Sequence, residues 1–328
     1  WRANMSIKIA IIGAGQLGSR HIQGALKVKH PDLHLDVIEP DHRATETSKE
    51  RNKEIDSEVT IKYHNNITSL EGSYETVIIS TNSNNRLDII KELFNQIDTK
   101  VLILEKVVFQ STREFNELDA LLQTKKTKVY VNHPRRMYSF YENLKDELKS
   151  QGSEITHINV SGNDLGLACN GLHFIDLVTY LTGSKPAAIL NHHLEEIIPS
   201  KRKGFIEITG HLWVYFENRS SLLISSLNGS NKATSIEIIC PEIKYHIEEG
   251  GRSIITRFIN SKWESDSPIR APFQSELTTF LIEDLLLGKE LKITPISISK
   301  GCHTLFLESL KDFVTSKSGK KYKQLPIT

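Results

Sequence analysis

Cysteine is scarce in this chain, and its spacing forms no metal-binding or disulfide pattern. The 328 residues contain three cysteines, Cys169, Cys240 and Cys302, which lie far apart and include no Cys-x-x-Cys pair. Disulfide-stapled domains and structural zinc sites need several cysteines at close, regular spacing. We therefore expect no disulfide framework, no metal, and a reducing, cytoplasmic location.

The chain also lacks an excess of charge of one sign and any long apolar run. Lysine and arginine number 41 against 40 aspartates and glutamates, a formal net charge of +1. Nucleic-acid and membrane partners favour a clear basic excess, so neither is expected. Apolar runs such as 101–104 and 285–287 are far shorter than the roughly 20 residues that span a bilayer. Met5 is interpreted as a natural start without a secretory signal, and the predicted partner is a small molecule.

What the sequence does contain is a regular alternation of strands and helices up to about residue 134. Helical segments at 85–95 and 112–123 separate short, β-branched runs that are typical of buried parallel strands. These runs are Ile7–Ile12, Leu33–Glu39, Thr76–Ser80, Val101–Leu104 and Lys128–Val131. The alternation predicts an α/β Rossmann domain, a doubly wound parallel sheet, over residues 5–134.

After about Tyr138, short alternating strands separated by turn residues replace this rhythm, which predicts a second, α+β domain over residues 135–328. Its strands are predicted at 155–161, 205–209, 212–216, 221–226, 235–239 and 243–247, forming a large open, mostly antiparallel sheet. Helices at 169–181, 273–287 and 300–316 are expected to cover one face. The other face, bearing Leu212, Val214 and Phe216 or their neighbours, is expected to form a homodimer or homotetramer interface.

A glycine motif follows the first predicted strand directly and opens the first helix. The residues Gly13, Ala14, Gly15, Gln16, Leu17 and Gly18 match G-x-G-x-x-G, the dinucleotide-binding pattern. Its first glycine permits a tight turn, its second lets a pyrophosphate approach the backbone, and its third lets helix and strand pack closely. The sequence therefore predicts a dinucleotide site here, the alternative being a plain glycine turn.

Two further segments extend this predicted site. Glu39 ends the second strand, 21 residues after Gly18, where a carboxylate would bind ribose hydroxyls and repel a 2′-phosphate. NAD is therefore the expected cofactor, and NADP is less favoured, although Arg43 nearby keeps it open. Thr81, Asn82 and Ser83 follow the predicted strand at 76–80 and are either cofactor-binding or an ordinary loop.

Candidate catalytic residues follow the predicted strand at 101–104 and occupy one later helix. Glu105 and Lys106 come directly after that strand, where a partly desolvated lysine can exchange a proton, although most lysines are simply solvated. On the later helix, polar residues recur on roughly one face: Asn170, His173, Asp176 and Tyr180. His173 is interpreted as a proton shuttle oriented by Asp176, or else as a histidine satisfied within the core.

With these residues in view, the chain resembles the Gfo/Idh/MocA oxidoreductase family over nearly its whole length. The resemblance is carried by the stretch IAIIGAGQLGSRH from Ile9 to His21, by Glu105-Lys106, by 131–136 (VNHPRR) and by 171–176 (GLHFID). In that family, the lysine of a strand-end Glu-Lys-Pro lies near the nicotinamide, and a helix motif Asp-x-x-x-His supplies the other catalytic groups. The resemblance thus implies catalytic roles for Lys106 and His173.

The chain departs from the family pattern at three positions. Val107 replaces the proline after the lysine, and Arg86 stands where many relatives carry a histidine. Cys169 replaces the aspartate four residues before His173, so that Asn170 is left to position substrate unless the chemistry has changed.

The expected activity is hydride transfer to or from a carbinol or carbonyl carbon of a sugar, cyclitol or nucleotide sugar. Arg135, Arg136 and Tyr138 are expected, with Asp176, to bind the substrate, because guanidinium groups suit carboxylates and phosphates, unless they form surface ion pairs. Two alternatives stay open: a dinucleotide-binding protein with lost or altered catalysis, and a redox-cycling lyase or glycosidase that accumulates no NADH.

Overall fold

A computed structural model describes residues 6–229, 233–249, 254–260, 262–264 and 267–328. Met5 and the four residues before it, where the start was interpreted, lie outside the described residues. Strands and helices alternate through the first part of the chain. In order they are β1 (Ile7–Ile12), α1 (Gln16–Leu26), β2 (Leu33–Ile38), α2 (His42–Asn52), β3 (Thr60–His64), β4 (Ser73–Ile79), α3 (Arg86–Gln96), β5 (Asp98–Glu105), α4 (Thr112–Leu122) and β6 (Lys128–Asn132).

The second part of the chain is dominated by strands. Its elements are α5 (Ser139–Gln151), β7 (His157–Asn163), α6 (Leu167–Thr182), β8 (Pro186–Pro199), β9 (Ile206–Phe216), β10 (Ser221–Leu227), β11 (Thr234–Ile239), β12 (Ile243–Glu249), β13 (Ile254–Ile259), β14 (Lys262–Trp263), β15 (Ser267–Pro268), α7 (Gln274–Leu286), β16 (Thr294–Pro295) and α8 (Ile296–Ser318). The long strand β8 was not predicted, and β9 joins two predicted strands into one.

One sheet has seven strands, in the order β16-β6-β5-β4-β1-β2-β3. Its pairs are parallel except for the short β16, which runs antiparallel to β6. The central strands are apolar on both faces, and Ile11, Val77 and Ile103 are all fully or almost fully buried. Burial on both faces explains the continuous runs of β-branched residues. The predicted Rossmann sheet is confirmed.

A second sheet contains the remaining strands, in the order β14-β13-β12-β11-β7-β10-β9-β8, with β15 paired to β13. Only β7 and β10 pair in parallel among its described pairs, so the sheet is mostly antiparallel, as predicted. The helix α6 contacts β9 and β10.

The chain forms two compact units. The first contains residues up to Phe109, Arg113–Pro134 and Pro272–Ile296, and the second contains Gln110–Thr112, Arg135–Ala271 and Ser297–Thr328. The first unit therefore also includes a late segment of the chain, which contains α7 and β16.

The expectation that the helix at 273–287 covers the antiparallel sheet was wrong, because this helix, α7, packs against α1. A Cβ added to Gly24 on α1 would lie 2.3 Å from the carbonyl oxygen of Ser275, so the glycine allows the two helices to touch. Thr279 donates a hydrogen bond to the Gly24 carbonyl at 2.8 Å. An apolar helix face shows that a helix is buried, but it does not name the surface that buries it.

The residues named as the open face of the antiparallel sheet also need correction. Leu212 and Val214 have no exposed surface, and Phe216 is 3% exposed. Their neighbours alternate to the other face, where Trp213 is half-buried and Tyr215 is 42% exposed. Of the two sets that the alternation left open, the neighbours therefore lie on the more exposed face. Among the described residues, no helix is long and apolar enough to cross a membrane.

Candidate functional site

The glycine motif forms a tight turn between β1 and α1. Gly13 has a φ of +95°, a conformation that favours glycine, and a Cβ added to Gly18 would lie 1.9 Å from the Gly13 carbonyl oxygen. A Cβ on Gly15 would meet no atom within 4 Å. Gly13 is thus required by its backbone conformation and Gly18 by packing, whereas Gly15 leaves its backbone open to a ligand.

A cavity of about 460 Å³ opens beside this turn in the first unit. Five of its lining residues were predicted for the cofactor: Gly13, Gly15, Glu39, Thr81 and Asn82. The lining also includes residues that the sequence analysis missed: Pro40, Asn65, Asn66, Ile67, Asn85, Ile89 and Glu92. Asn65 and Asn66 follow β3 directly. The strand pattern at Thr60–His64 is the sequence signal that points to them, because ligands bind at the carboxyl ends of parallel strands.

Glu39 connects the end of β2 to the glycine turn. Its carboxylate accepts hydrogen bonds from the backbone N–H of Ala14 at 2.7 Å and of Asp41 at 2.9 Å. A carboxylate has about four acceptor sites, so these two bonds leave room for hydroxyl donors. Arg43 lies in the first turn of α2 and does not line the cavity. The residues present therefore fit a dinucleotide whose ribose hydroxyls meet a carboxylate.

Arg86 is buried behind the cavity, with 1% of its surface exposed. Its Nη1 donates to the carbonyl oxygens of Glu105 at 2.6 Å and Val108 at 2.9 Å, and also to that of Val107, while Nη2 donates to the Thr81 carbonyl. One guanidinium thus joins the loop after β4 to the segment that carries Lys106. Arg86 and Val107, which the sequence analysis treated as separate departures, are in direct contact.

The other predicted residues of this unit lie around the turn and the end of β5. Gln16 begins α1 and is exposed, Leu17 and Lys106 are half-buried, and Ser83 is buried. The peptide bond between Lys106 and Val107 is cis. These residues do not line the cavity that Gly13 and Glu39 share.

Glu105 belongs to a buried hydrogen-bond network. Its Oε1 accepts from His21 Nε2 at 2.9 Å and from Asn132 Nδ2 at 2.5 Å. Burial alone would raise the pKa of this carboxyl, but the hydrogen bonds from His21 and Asn132 and the charges of His21 and Lys106 outweigh it and lower the pKa. His21 also contacts the Thr278 hydroxyl at 2.8 Å, which links the network to α7. Glu105 is therefore occupied inside the protein rather than presented to a ligand.

In the second unit, Arg136 and Asp176 form a buried ion pair. Arg136 donates from Nε at 2.7 Å and from Nη2 at 2.8 Å to the two carboxylate oxygens of Asp176, which is 1% exposed. The guanidinium also lies over the Tyr180 ring, 5.3 Å from its centroid. This bidentate pair accounts for the charge of Asp176, and His173 lies half-buried on the same helix, α6.

Arg135 is held in the same way by Glu249. Its guanidinium donates three hydrogen bonds to the Glu249 carboxylate, two of them at 3.0 and 3.2 Å from Nε, and it lies over the Phe174 ring. Tyr141 donates a further bond to Glu249 at 2.8 Å. Despite burial, the Arg135 charge and these bonds lower the pKa of Glu249, while burial raises the pKa of Tyr138. Both arginines predicted to bind a substrate anion are thus engaged with carboxylates of their own unit.

A second cavity, of about 420 Å³, lies in the second unit beside the start of α6. Cys169 and Asn170 line it, together with Glu207 from β9. The Glu207 carboxylate accepts from the backbone N–H of Ala168 at 2.9 Å and of Cys169 at 3.4 Å, so it caps the helix. A carboxylate therefore lies next to Cys169, the position at which the family resemblance implies an aspartate. Glu207 was not predicted as a site residue, because its alternation with Ile206 and Ile208 indicates only a strand.

Comparison with known proteins agrees with this geometry. Residues 7–133 match the family model named GFO_IDH_MocA, described as an oxidoreductase family with an NAD-binding Rossmann fold. No curated protein matches the chain significantly. Over residues 7–133 the first unit is similar to the NAD-binding Rossmann domain of that oxidoreductase family.

Solved structures share the fold across the whole chain. UDP-N-acetylglucosamine 3-dehydrogenase GnnA from Acidithiobacillus ferrooxidans is 13% identical, with a TM-score of 0.68 over 93% of this chain and 97% of that one. Scyllo-inositol dehydrogenase from Lactobacillus casei, with bound NAD(H) and scyllo-inositol, is 17% identical, with a TM-score of 0.64 over 93% and 97%. An oxidoreductase from Agrobacterium radiobacter, in complex with NAD+, L-tartaric acid and magnesium, is 14% identical, with a TM-score of 0.71 over 96% and 98%. At these identities the similarity establishes the fold.

Proposed function

We propose that the protein transfers hydride between C4 of the nicotinamide of NAD and a carbinol or carbonyl carbon of a sugar, cyclitol or nucleotide sugar. The observation that carries the proposal is the glycine turn with Glu39, because its exposed Gly15 backbone and its carboxylate suit a pyrophosphate and a ribose. Similar folds in sugar and inositol dehydrogenases support the substrate class. The nicotinamide supplies the redox chemistry, and the protein supplies binding, orientation and proton transfer.

Lys106 and His173 are the proposed proton-transfer groups. Lys106 follows β5 at the carboxyl edge of the parallel sheet, where ligands of such sheets bind, and Arg86 holds the backbone on both sides of it. An ammonium in such a place can give a proton to a developing alkoxide or take one from a hydroxyl. Asn170 is proposed to orient the substrate, since it lines the cavity of the second unit.

NAD is the proposed cofactor, with NADP disfavoured by the Glu39 carboxylate. Thr81 and Asn82, which line the cavity beside the glycine turn, are proposed to contact the cofactor. Asn65 and Asn66 line the same cavity and are proposed to contact it too. Arg135, Arg136 and Asp176 are not included among the substrate ligands, because their charges are neutralised within the unit. A homodimer or homotetramer through the open sheet face around Trp213 and Tyr215 is part of the proposal, and light scattering that finds only monomer would contradict it.

The test has a binding step and a turnover step. Titration with NADH, followed by nicotinamide fluorescence, is expected to saturate in the wild type. A panel of sugars and cyclitols with NAD is then followed by reduced-nicotinamide absorbance. Lys106→Ala is expected to keep NADH binding and to lose about 100-fold or more in turnover, the usual contribution of a general acid or base. Unchanged turnover removes Lys106 from the mechanism, and absence of NADH binding removes the proposal.

A second candidate function is a dinucleotide-binding protein without turnover, and the replacement of the family aspartate by Cys169 favours it. The neighbouring Glu207 carboxylate counts against this candidate, because a carboxylate is still present at the start of α6. NADH binding with no redox change across the whole panel, and no altered product by mass spectrometry, would select the second candidate.

A further inference from the structure

The cavity of the second unit contains a buried hydroxyl that the protein does not satisfy. Thr209 lines this cavity, is 3% exposed, and its Oγ1 has no hydrogen-bond partner among the described residues. An unpartnered buried polar group costs about 1–3 kcal/mol, so such groups are rare in native proteins. Because Thr209 lines a cavity of about 420 Å³, a ligand or a water bound there can supply the missing partner after a small side-chain rotation.

The remaining lining around Thr209 suits the hydroxyl groups of a sugar. Ser226, Asn170 and Glu207 line the same cavity, and Glu207 uses its carboxylate to cap α6. Hydroxyl, amide and carboxylate groups supply both donors and acceptors, which matches the double character of a sugar hydroxyl. This part of the cavity therefore favours a polyhydroxylated ligand over an apolar one.

A basic loop also lines the cavity of the second unit. Lys201 and Arg202 lie between β8 and β9, line the cavity and are exposed. Within the described ranges, no carboxylate lies within ion-pair distance of either side chain. Asp164 and Glu207 line the same cavity but form no ion pair with these two cations. Two adjacent cations outside any ion pair favour an anionic ligand group, and the arginine fork can bind a carboxylate or a phosphate in a bidentate manner.

We propose that this cavity binds a sugar that carries a carboxylate or phosphate group. Thr209 and Glu207 hold hydroxyl groups of the sugar, and Lys201 and Arg202 hold its anionic group. The proposal rests on the proposed function, because it names the substrate class of that oxidoreductase. The residues proposed to bind the anionic group are thus in the loop after β8, and not Arg135 and Arg136, which form ion pairs with carboxylates.

Cys169 offers a direct reporter of occupancy at this cavity. It lines the cavity and is half-buried, whereas Cys240 and Cys302 are buried. Burial raises the pKa of the Cys302 thiol to about 12 and also raises the pKa of Cys240, so both carry little thiolate and react slowly. Iodoacetamide labelling, measured by peptide mass spectrometry, is therefore expected to report Cys169 selectively.

The labelling rate is measured with glucose, glucuronate, glucose 6-phosphate or inorganic phosphate at constant ionic strength. Glucuronate or glucose 6-phosphate is expected to protect Cys169 at about tenfold lower concentration than glucose, the effect of one charge-assisted bond. The two anionic sugars distinguish a carboxylate from a phosphate as the preferred group. Protection by neither of them, or equal protection by glucose, overturns the proposal. Inorganic phosphate as effective as glucose 6-phosphate overturns its sugar part.

Variants of the loop and of the hydroxyl sharpen the test. Lys201→Ser with Arg202→Ser is expected to abolish the advantage of the anionic sugar, whereas Lys203→Ser, next in the loop but outside the lining, is expected to retain it. Thr209→Val is expected to weaken protection about tenfold without lowering thermal stability, because its hydroxyl has no partner in the protein. If all variants, including Lys203→Ser, lose protection of Cys169 equally, or if none of them loses it, the assignment of these residues to the sugar site is wrong.

NADH fluorescence separates this proposal from the one on which it rests. Intact NADH binding without protection of Cys169 by an anionic sugar refutes the sugar site alone. Loss of NADH binding in the wild type refutes the oxidoreductase function, whatever the labelling shows.

Discussion

Replacing Arg86 by methionine removes the guanidinium that joins the loop after β4 to the segment around Lys106. Methionine keeps an unbranched, apolar stem of similar reach, so the change removes mainly the charged hydrogen bonds. We expect a large loss of stability in the first unit. The segment from Glu105 to Val108 is expected to lose protection first, because three of its carbonyl oxygens accept from Arg86.

The size of the loss follows from the donors. The two N–H groups of Arg86 Nη1 are shared among three backbone carbonyls, and Nη2 donates to a fourth. A hydrogen bond to a charged group contributes about 1.5–3 kcal/mol, and the desolvation cost of the buried guanidinium, relieved by the substitution, offsets part of the sum. We therefore expect Arg86→Met to lower the free energy of unfolding by about 3–5 kcal/mol. Arg86→Lys should lose roughly half as much, since a lysine offers a compact ammonium instead of a fork.

The assay is urea unfolding followed by far-ultraviolet circular dichroism, with hydrogen exchange of the peptide that covers β5 and Val108. Circular dichroism is preferred to tryptophan fluorescence, because two of the three tryptophans, Trp213 and Trp263, lie in the second unit. Arg113→Met is the matched control: Arg113 is 87% exposed and pairs only at the surface with Glu117, so less than about 1 kcal/mol is expected. A loss below about 1 kcal/mol for Arg86→Met, with unchanged exchange, would refute the reasoning.

Three further predictions concern other contacts. Gly18→Ala places a Cβ against a carbonyl oxygen at 1.9 Å and should weaken NADH binding at least tenfold, or about 1.4 kcal/mol, by fluorescence titration; unchanged affinity would contradict the tight turn. Arg136→Met leaves the Asp176 charge buried and should cost about 3–5 kcal/mol in urea unfolding, whereas adding Asp176→Leu should restore most of it. Because the pKa of Glu249 is lower in the folded protein than in the unfolded chain, its ionised carboxylate stabilises the fold at neutral pH, and this stability is lost as the pH falls through the folded-state pKa. Glu249→Gln should therefore reduce the loss of unfolding free energy at acidic pH, and an unchanged dependence of stability on pH would contradict this prediction.

The features that the sequence predicted well depend on neighbouring residues. The strand β1 has the predicted bounds, and the glycine turn that follows it is dictated by contacts between Gly13 and Gly18. Glu39 lies at the end of the next strand, at the spacing that the motif requires. Strand and helix types were predictable because periodicity and turn residues act within about 20 residues of chain.

The features that it predicted poorly depend on contacts between distant segments. An amphipathic pattern showed that α7 has a buried face, but only the close approach at Gly24 shows that the face meets α1. In the same way, an arginine at a strand end predicts an anion site or an ion pair equally well. The partners of Arg135 and Arg136 lie 114 and 40 residues away and decide between the two.

By itself, the sequence determined a Rossmann domain with a dinucleotide turn, a carboxylate at the second strand and a second domain built on an open sheet. Tertiary structure alone decided that Arg86 meets the Lys106 segment, that Glu207 reaches the start of α6, and that Thr209 is left without a partner. The physical reason is the range of the interactions. Backbone conformation and apolar period are local properties, whereas the satisfaction of a buried charge or hydroxyl depends on whichever distant atoms the fold brings within hydrogen-bond distance.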